Sequence, residues 1–405
     1  MLFFISAVCW AVYYGGRWQV DAEGTVHVSW RLGVRLDRAL RAEGLAALML
    51  EQPLLYRLTG ACRVVLYPAG QKRTLTLLLS AQNAQFLADR MMPRRDAVAH
   101  TPRGGEKLAF AVLGANGLST LALLALALRQ SRPYAPDAQT LAFAHLSHLA
   151  AFAARWLPMG TAWLLVVTGW LFCISLARSA AQVAHYTVWR TAAQLGSRGG
   201  LLHRHEMRLC RAHLNYADLR RSPATWALHY CPVFVSAGSC APELPLFVWK
   251  EGTPLLQELL PGVALPPDTT PDIARRSKIY FLPAGFPLGL CLLLTAVSRT
   301  TLPTLTLPLL VPDLFFAALL AAAFVGYRRE GAWMQDDHLT LRRQKGFHLH
   351  CVCALHPDLR LTVQQSPWAV AAHRANLTLI FPGRLKQKVR SVALTELAFL
   401  QQTER

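Results

Sequence analysis

Two clusters of the chain combine histidine with cysteine at short spacing, and these are the side chains that most often hold zinc. His203, His205, Cys210 and His213 form one cluster, and His348, His350, Cys351 and Cys353 form the other. Apolar and polar residues alternate around the second, as along a strand, so His348 and His350 are sent to one face and Cys351 and Cys353 to the other. Ligands on opposite faces do not converge on one ion, and no metal is expected. The stretch His205-Glu206-Met207-Arg208 lacks the second histidine of a helical zinc-protease motif. No nucleophile elbow, phosphate-cradling glycine loop or carboxylate pair stands out, and 23 acidic residues leave few candidates for acid–base work. The expectation is a chain without catalytic residues or cofactor.

Asp313 follows Pro312 inside an apolar stretch. An intramembrane carboxylate is by default a candidate for proton or ion handling. The other reading starts the span near Leu314 and leaves Asp313 at the interface, since prolines commonly mark such boundaries. The basic residues gather in three groups: Arg328 with Arg329; Arg342, Arg343 and Lys345; and Arg384, Lys386, Lys388 and Arg390. Each is worth about 1 kcal/mol beside an anionic membrane, so a group acting together would grip lipid or an acidic partner. A solvated face obeying the positive-inside rule is the alternative.

The elements that must position these residues are partly membranous. A mean hydropathy of +0.27 with 16% charged residues is too apolar for a soluble chain, where roughly a quarter of residues are charged. Leu108–Leu128 is uncharged and long enough to cross a hydrocarbon layer of roughly 30 Å as a helix. Residues 157–177, 279–298 and 305–327 read the same way, the last interrupted by Pro308, Pro312 and Asp313. The spans form two hairpins. Between the first two, 138–156 reads as an amphipathic interfacial helix or a plain loop helix. The apolar run at 1–14 is short for a span and lacks the basic start of a signal peptide.

Arg94, Arg95, Arg103 and Lys107 precede the first span, and Arg178 and Arg190 follow the second. Arg275, Arg276 and Lys278 precede the third, and Arg328 and Arg329 follow the fourth. The opposite loops hold Arg129, Arg132 and Arg155 in one case and Arg299 in the other. By the positive-inside rule the three polar segments share the cytoplasmic side. Nine scattered cysteines without a disulfide framework fit a reducing compartment. The net charge of +19 has anionic lipid as its nearest partner, and no DNA-binding motif accompanies it.

The polar segments are related to one another. Shifted by 313 residues, segment 15–92 falls on 328–401: Val26 and Val28 meet Leu339 and Leu341, Gly33 meets Gly346, Val64 and Leu66 meet Leu377 and Leu379, Gly70 meets Gly383, and Phe86 and Leu87 meet Phe399 and Leu400. Segment 178–262 joins at a shift of 169, bringing Val233 and Val235 under Val64 and Leu66, and Leu255 and Leu256 under Phe86 and Leu87. Its Gly199 and Gly200 need a small gap to meet Gly33. Each copy begins with period-two alternation broken by glycine and ends in a helical pattern, as in Ala81–Met91 and Val392–Gln401. The expected fold class is an α+β membrane protein in which helical hairpins alternate with three small antiparallel sheets or barrels, each closed by a C-terminal helix.

The run from Gln52-Pro53-Leu54-Leu55-Tyr56-Arg57 through Gly60 to Val64, with Gln365-Ser366-Pro367 leading to Leu377 and Arg221-Ser222-Pro223 leading to Val233, resembles the pattern of bacterial pleckstrin-homology-like domains. Three such domains separated by membrane hairpins are similar to the YdbT-like membrane proteins. Two departures stand out: the leading hairpin is missing or truncated, and the middle copy is rich in cysteine and histidine. The resemblance implies a curved seven-stranded antiparallel sheet capped by a helix. It implies no catalytic activity and no phosphoinositide site. It makes the chain a non-enzymatic scaffold of the bacterial inner membrane. Its implied partners are membrane lipids and other membrane proteins, including a smaller membrane protein with the same domain or a second copy of itself. The rival reading is a transport or export component built on the hairpins and Asp313.

Overall fold

The computed structural model describes residues 16–21, 25–32, 34–70, 73–94, 96–114, 138–156, 158–239, 241–263, 265, 276–301, 303–335, 338–355, 359–381 and 386–397. The apolar run 1–14, the last two thirds of the first expected span, Gly33, Gly383, Arg384, Phe399 and Leu400 lie outside them.

Gly16–Val20 (β1), Thr25–Leu32 (β2) and Val34–Arg41 (β3) form a three-stranded antiparallel sheet. Leu45–Gln52 (β4), the short helix Leu54–Leu58 (α1), Ala61–Pro68 (β5), Leu75–Ser80 (β6) and the helix Ala81–Met91 (α2) follow. Alternation does its expected work in β5, where Cys62, Val64 and Leu66 enter the core and Arg63 points out. Ala84, Leu87, Ala88 and Met91 make the buried stripe of α2. The Ser80 hydroxyl caps that helix by accepting from the Asn83 N–H at 3.3 Å. Val98–His100 (β7) leads to three helices, Gly104–Gly114 (α3), Ala138–Ala153 (α4) and Met159–Val183 (α5).

The chain then runs through a second series: Thr187–Arg190 (β8), Gln194–Gly199 (β9), Arg204–Cys210 (β10), Leu214–Arg221 (β11), Pro223–Ala227 (α6), Tyr230–Ala237 (β12), Leu244–Lys250 (β13) and Leu255–Leu259 (α7). After the helices Leu282–Thr301 (α8) and Pro303–Arg329 (α9) comes a third series. It consists of Gly331–Gln335 (β14), His338–Lys345 (β15), His348–Ala354 (β16), Arg360–Gln364 (β17), Pro367–Ala371 (α10), Arg374–Ile380 (β18) and Lys386–Ala393 (β19). Three strands, three strands and a five-residue helix after the fourth strand recur in each series. The residue before β5, β12 and β18 is Gly60, His229 or His373, each with φ between 53° and 69°.

The two halves of each series join different sheets. β4 pairs antiparallel with β10, giving a seven-stranded sheet in the order β6-β5-β4-β10-β9-β8-β7. β11 pairs antiparallel with β16, giving a six-stranded sheet ordered β13-β12-β11-β16-β15-β14. β1–β3 and β17–β19 remain as separate three-stranded sheets at the two ends of the series. Among the described residues these are open sheets, not closed barrels. The first series has six strands before its closing helix α2 and the third has six described strands; in the second, β7 adds a seventh by pairing with β8.

The described residues fall into two compact units. The first holds those of 1–102, 185–284 and 318–405, which include all the strands. One of its cores lies between β2, β4–β6 and α2, and another gathers β14–β19 with Tyr216 from β11, whose ring sits 5.0 Å from that of Phe381. The second unit holds 103–184 and 285–317. Three helical stretches, Met159–Val183, Leu282–Thr301 and Leu309–Arg329, are long and apolar enough to cross a membrane.

One expectation changes. Val392 and Ala393 belong to β19 and a 3-10 turn occupies Leu394–Leu397, so the helical reading of 392–401 fails over its described part. α4 covers most of the expected interfacial or loop helix, with Gln139, His145 and His148 along it, and Phe143 stacks on Trp163 of α5 at 5.2 Å. Asp313 lies inside a continuous helix. α9 starts ten residues earlier and continues through Pro312.

Candidate functional site

The histidines of the two clusters have different surroundings. His350, nearly buried in β16, places Nδ1 2.9 Å from Asp218 of β11, its neighbour across the sheet. His205 stands in β10 with its ring 6.5 Å from that of His203, and the His213 Nε2 lies 3.2 Å from the carbonyl of Glu43. Burial lowers the readiness of His205 to take a proton and pushes the Cys351 thiol far up. Among the described residues no three potential metal ligands converge.

Asp313 is 6% exposed and accepts a hydrogen bond from the Thr295 hydroxyl of α8 at 2.8 Å. Its other carboxyl oxygen is buried without a hydrogen-bond partner among the described residues. Ser298, one turn on from Thr295, approaches Thr306 at 3.5 Å. This polar strip joins the two helices where a wholly apolar pair would present nothing but side-chain packing.

The basic groups divide. The Arg328 guanidinium lies 4.8 Å from the Phe324 ring centre, Arg329 5.2 Å from Trp226, and Arg342 5.0 Å from Trp333. Each is therefore occupied locally by a cation–π contact. Arg343 and Lys345 lie along β15, where the Arg343 Nε is buried. Lys386, Lys388 and Arg390 behave differently: β19 alternates, burying Gln387 and Val389 and turning the three cations outward on one face. Of the expected basic residues, this row presents its charge most freely to the surroundings.

The structure also contains charged clusters that sequence reasoning passed over. Arg208 of β10 is fully buried. Its guanidinium donates to Glu206 at 2.6 Å, to Asp89 at 2.8 Å, and to the carbonyls of Ala88 and Met92 at 3.1 and 2.6 Å. It thereby satisfies the C-terminal end of α2, where helix carbonyls lack partners and carry partial negative charge. Arg276, one of the basic residues that precede the third expected span, is 4% exposed and does the same for α9. It donates to the carbonyls of Tyr327, Glu330 at 2.9 Å and Ser391 at 3.3 Å.

Around Arg276 the Glu330 carboxylate accepts from the Tyr280 hydroxyl at 2.6 Å and from the Gln344 N–H at 2.8 Å. Burial pushes this carboxyl above the ordinary range, against the lowering pull of those two donors and of Arg276 and Arg390. Gly326 makes the arrangement possible, since a Cβ there would stand 2.4 Å from Gln344 and 2.7 Å from the Tyr280 hydroxyl. A third cluster sits on β11, where Asp218 holds His350 and Arg220, the latter at 2.8 Å, and Arg220 also reaches Glu243. Burial raises the Asp218 carboxyl, but His350 and Arg220 together hold it below the ordinary value.

The chemistry of these clusters is that of clamps. Arg208, Arg276 and Asp218 are each buried and paired or used as caps, whereas Lys386, Lys388 and Arg390 face outward. No family model, no curated protein and no solved structure matches the chain.

Proposed function

We propose that the chain is a membrane-anchored, non-enzymatic assembly protein that displays three pleckstrin-homology-like units at the cytoplasmic face of a bacterial inner membrane. One observation carries the reading: strands far apart in sequence, β4 with β10 and β11 with β16, share sheets although apolar helices separate them in the chain. The recurring order of elements supports treating the three series as copies of one unit. The first ends in a full C-terminal helix, as the pleckstrin-homology resemblance requires. The buried arginine clamps serve cohesion of the units, which leaves the outward cations of β19 to meet anionic lipid or an acidic membrane partner.

The test is crosslinking and pull-down from membranes, comparing the intact chain with Lys386→Gln, Lys388→Gln and Arg390→Gln combined. Retrieval of a membrane protein by the intact chain, or binding of the purified chain to phosphatidylserine vesicles, with loss in the triple variant, supports the reading. Retrieval of nothing and indifference to anionic lipid overturn it.

The rival, a transport or export component, draws on Asp313, whose buried unpartnered oxygen is an unusual thing to keep among apolar helices. Asp313→Asn that abolishes function at normal expression would favour the rival.

A further inference from the structure

Two strand edges are left over by the scheme that joins the series. In the first junction the acceptor is β4, the first strand of a second meander, and the donor is β10, the last strand of the next series' first meander. In the second junction β11 accepts β16, the strands at the same two places. The registers agree as well. Leu48, which faces Leu66 within its own meander, meets Arg208, which faces Gly196. Ala217, which faces Val235, meets Cys353, which faces Thr340. The third acceptor is β17, and among the described residues it pairs only with β18. The remaining donor is β3, and among the described residues it pairs only with β2.

Burial marks the difference between the used and unused acceptors. Leu50 of β4 and Leu219 of β11 are 6% and 1% exposed, while Val363, at the corresponding place in β17, is 44% exposed. Proteins commonly guard open sheet edges with charges. β19 has its three outward cations, whereas β17 has one charge, Arg360 at its start, and none along Leu361–Gln364. One chain thus holds an unused acceptor at one end of its series and an unused donor of the matching kind at the other.

We infer that β17 takes β3 of a second copy of this chain, antiparallel, in the register that sets Leu361 against Ala39. The inference rests on reading the three series as copies of one unit. Leu361 faces Leu379 as Leu48 faces Leu66, and Ala39 faces His27 as Arg208 faces Gly196. Because donor and acceptor edges differ, the contact is head-to-tail, and repetition gives a row or a ring of copies. Strand addition of this kind draws its affinity from main-chain hydrogen bonds and its choice of partner from alternate side chains.

The experiment uses two full-length chains with different tags, co-expressed in membranes, one carrying Ala39→Cys and the other Leu361→Cys. Oxidation should give a disulfide-linked species bearing both tags, several-fold above the wild-type pair, which carries the same native cysteines. Leu361 and Ala39 stand opposite in the inferred register; replacing Leu361→Cys by Thr362→Cys turns the thiol to the other face and should return the yield to background. Leu361→Lys with Val363→Lys should cut co-purification of the two tags several-fold. Mixed product no higher than wild type, or equal yield from Thr362→Cys, overturns the inference. A chain that fails to link to its own copy yet retrieves another membrane protein, lost in the double-lysine variant, gives β17 to a different protein. That result also overturns the inference while leaving the proposed function standing.

Discussion

The junction of β4 with β10 is clamped by Arg208, whereas the junction of β11 with β16 carries Asp218 against His350. The backbone solution is the same in both, with corresponding strands in corresponding register. The side chains that secure it are not. At the first, a cation from the donor strand reaches past the sheet to the end of α2 and holds sheet and helix together. At the second, an anion on the acceptor strand holds donors on both sides of itself, Arg220 along its own strand and His350 across the junction. The pairing of strand edges is thus the shared feature, and the ion clusters are separate local answers to polar groups that the pairing buries.

The largest expected effect comes from Arg208→Ala, which takes the close cationic partner from buried Glu206 and the side-chain donor from the Met92 carbonyl at the end of α2. Breaking one side of a buried pair costs about 3–5 kcal/mol. Denaturant unfolding of the detergent-solubilised protein, followed by intrinsic fluorescence, measures the loss. Asp218→Asn should cost less, about 1–3 kcal/mol, because Arg220 keeps Glu243 and the amide still fills the site.

The Asp218 variant also sharpens the comparison by pH. A carboxylate held below its unfolded value stabilises the fold above about pH 4 and loses that contribution as pH falls through the folded value. Wild type should therefore lose stability on the acid side through Asp218, and Asp218→Asn should lack that part of the decline. Unfolding midpoints measured between pH 3 and pH 6 check it.

Gly326→Ala extends the contrast to the clamp on α9. The added carbon meets Gln344 and the Tyr280 hydroxyl well inside contact distance, and overpacking of this kind costs about 1–3 kcal/mol. Glu330→Gln should have the smallest effect, below about 1 kcal/mol at neutral pH, since an amide oxygen still accepts from Tyr280 and Gln344. Burial already favours the protonated carboxyl, so wild type gains on this count below the ordinary carboxylate range and loses as pH rises through the folded value. The glutamine variant should not show that slope.

The strands were legible because alternation survives in them: Cys62, Val64 and Leu66 announce the inner face of β5 without help from the rest of the fold. Three apolar helices were legible from length and composition, with ends displaced by a few residues. What stayed hidden was partnership. Nothing local in Met207-Arg208-Leu209 says that the strand lies against residues 47–52, because antiparallel pairing across the chain is set by edges and not by composition. The role of Arg276 stayed hidden for the same reason. In sequence it is one of several cations beside a span, and only the end of α9, folded against it, turns it from a surface charge into a buried cap. The outward row of Lys386, Lys388 and Arg390 could be read in advance, since strand period alone places the three on one face.

Hydrogen exchange on the intact Arg208→Ala protein in lipid nanodiscs tests most directly whether distant parts of the chain share one sheet. If β4 and β10 are neighbours clamped by Arg208, the substitution should accelerate exchange across Leu45–Gln52 and the end of α2 as well as across Arg204–Cys210. Acceleration confined to Arg204–Cys210, with Leu45–Gln52 unchanged, would contradict the account.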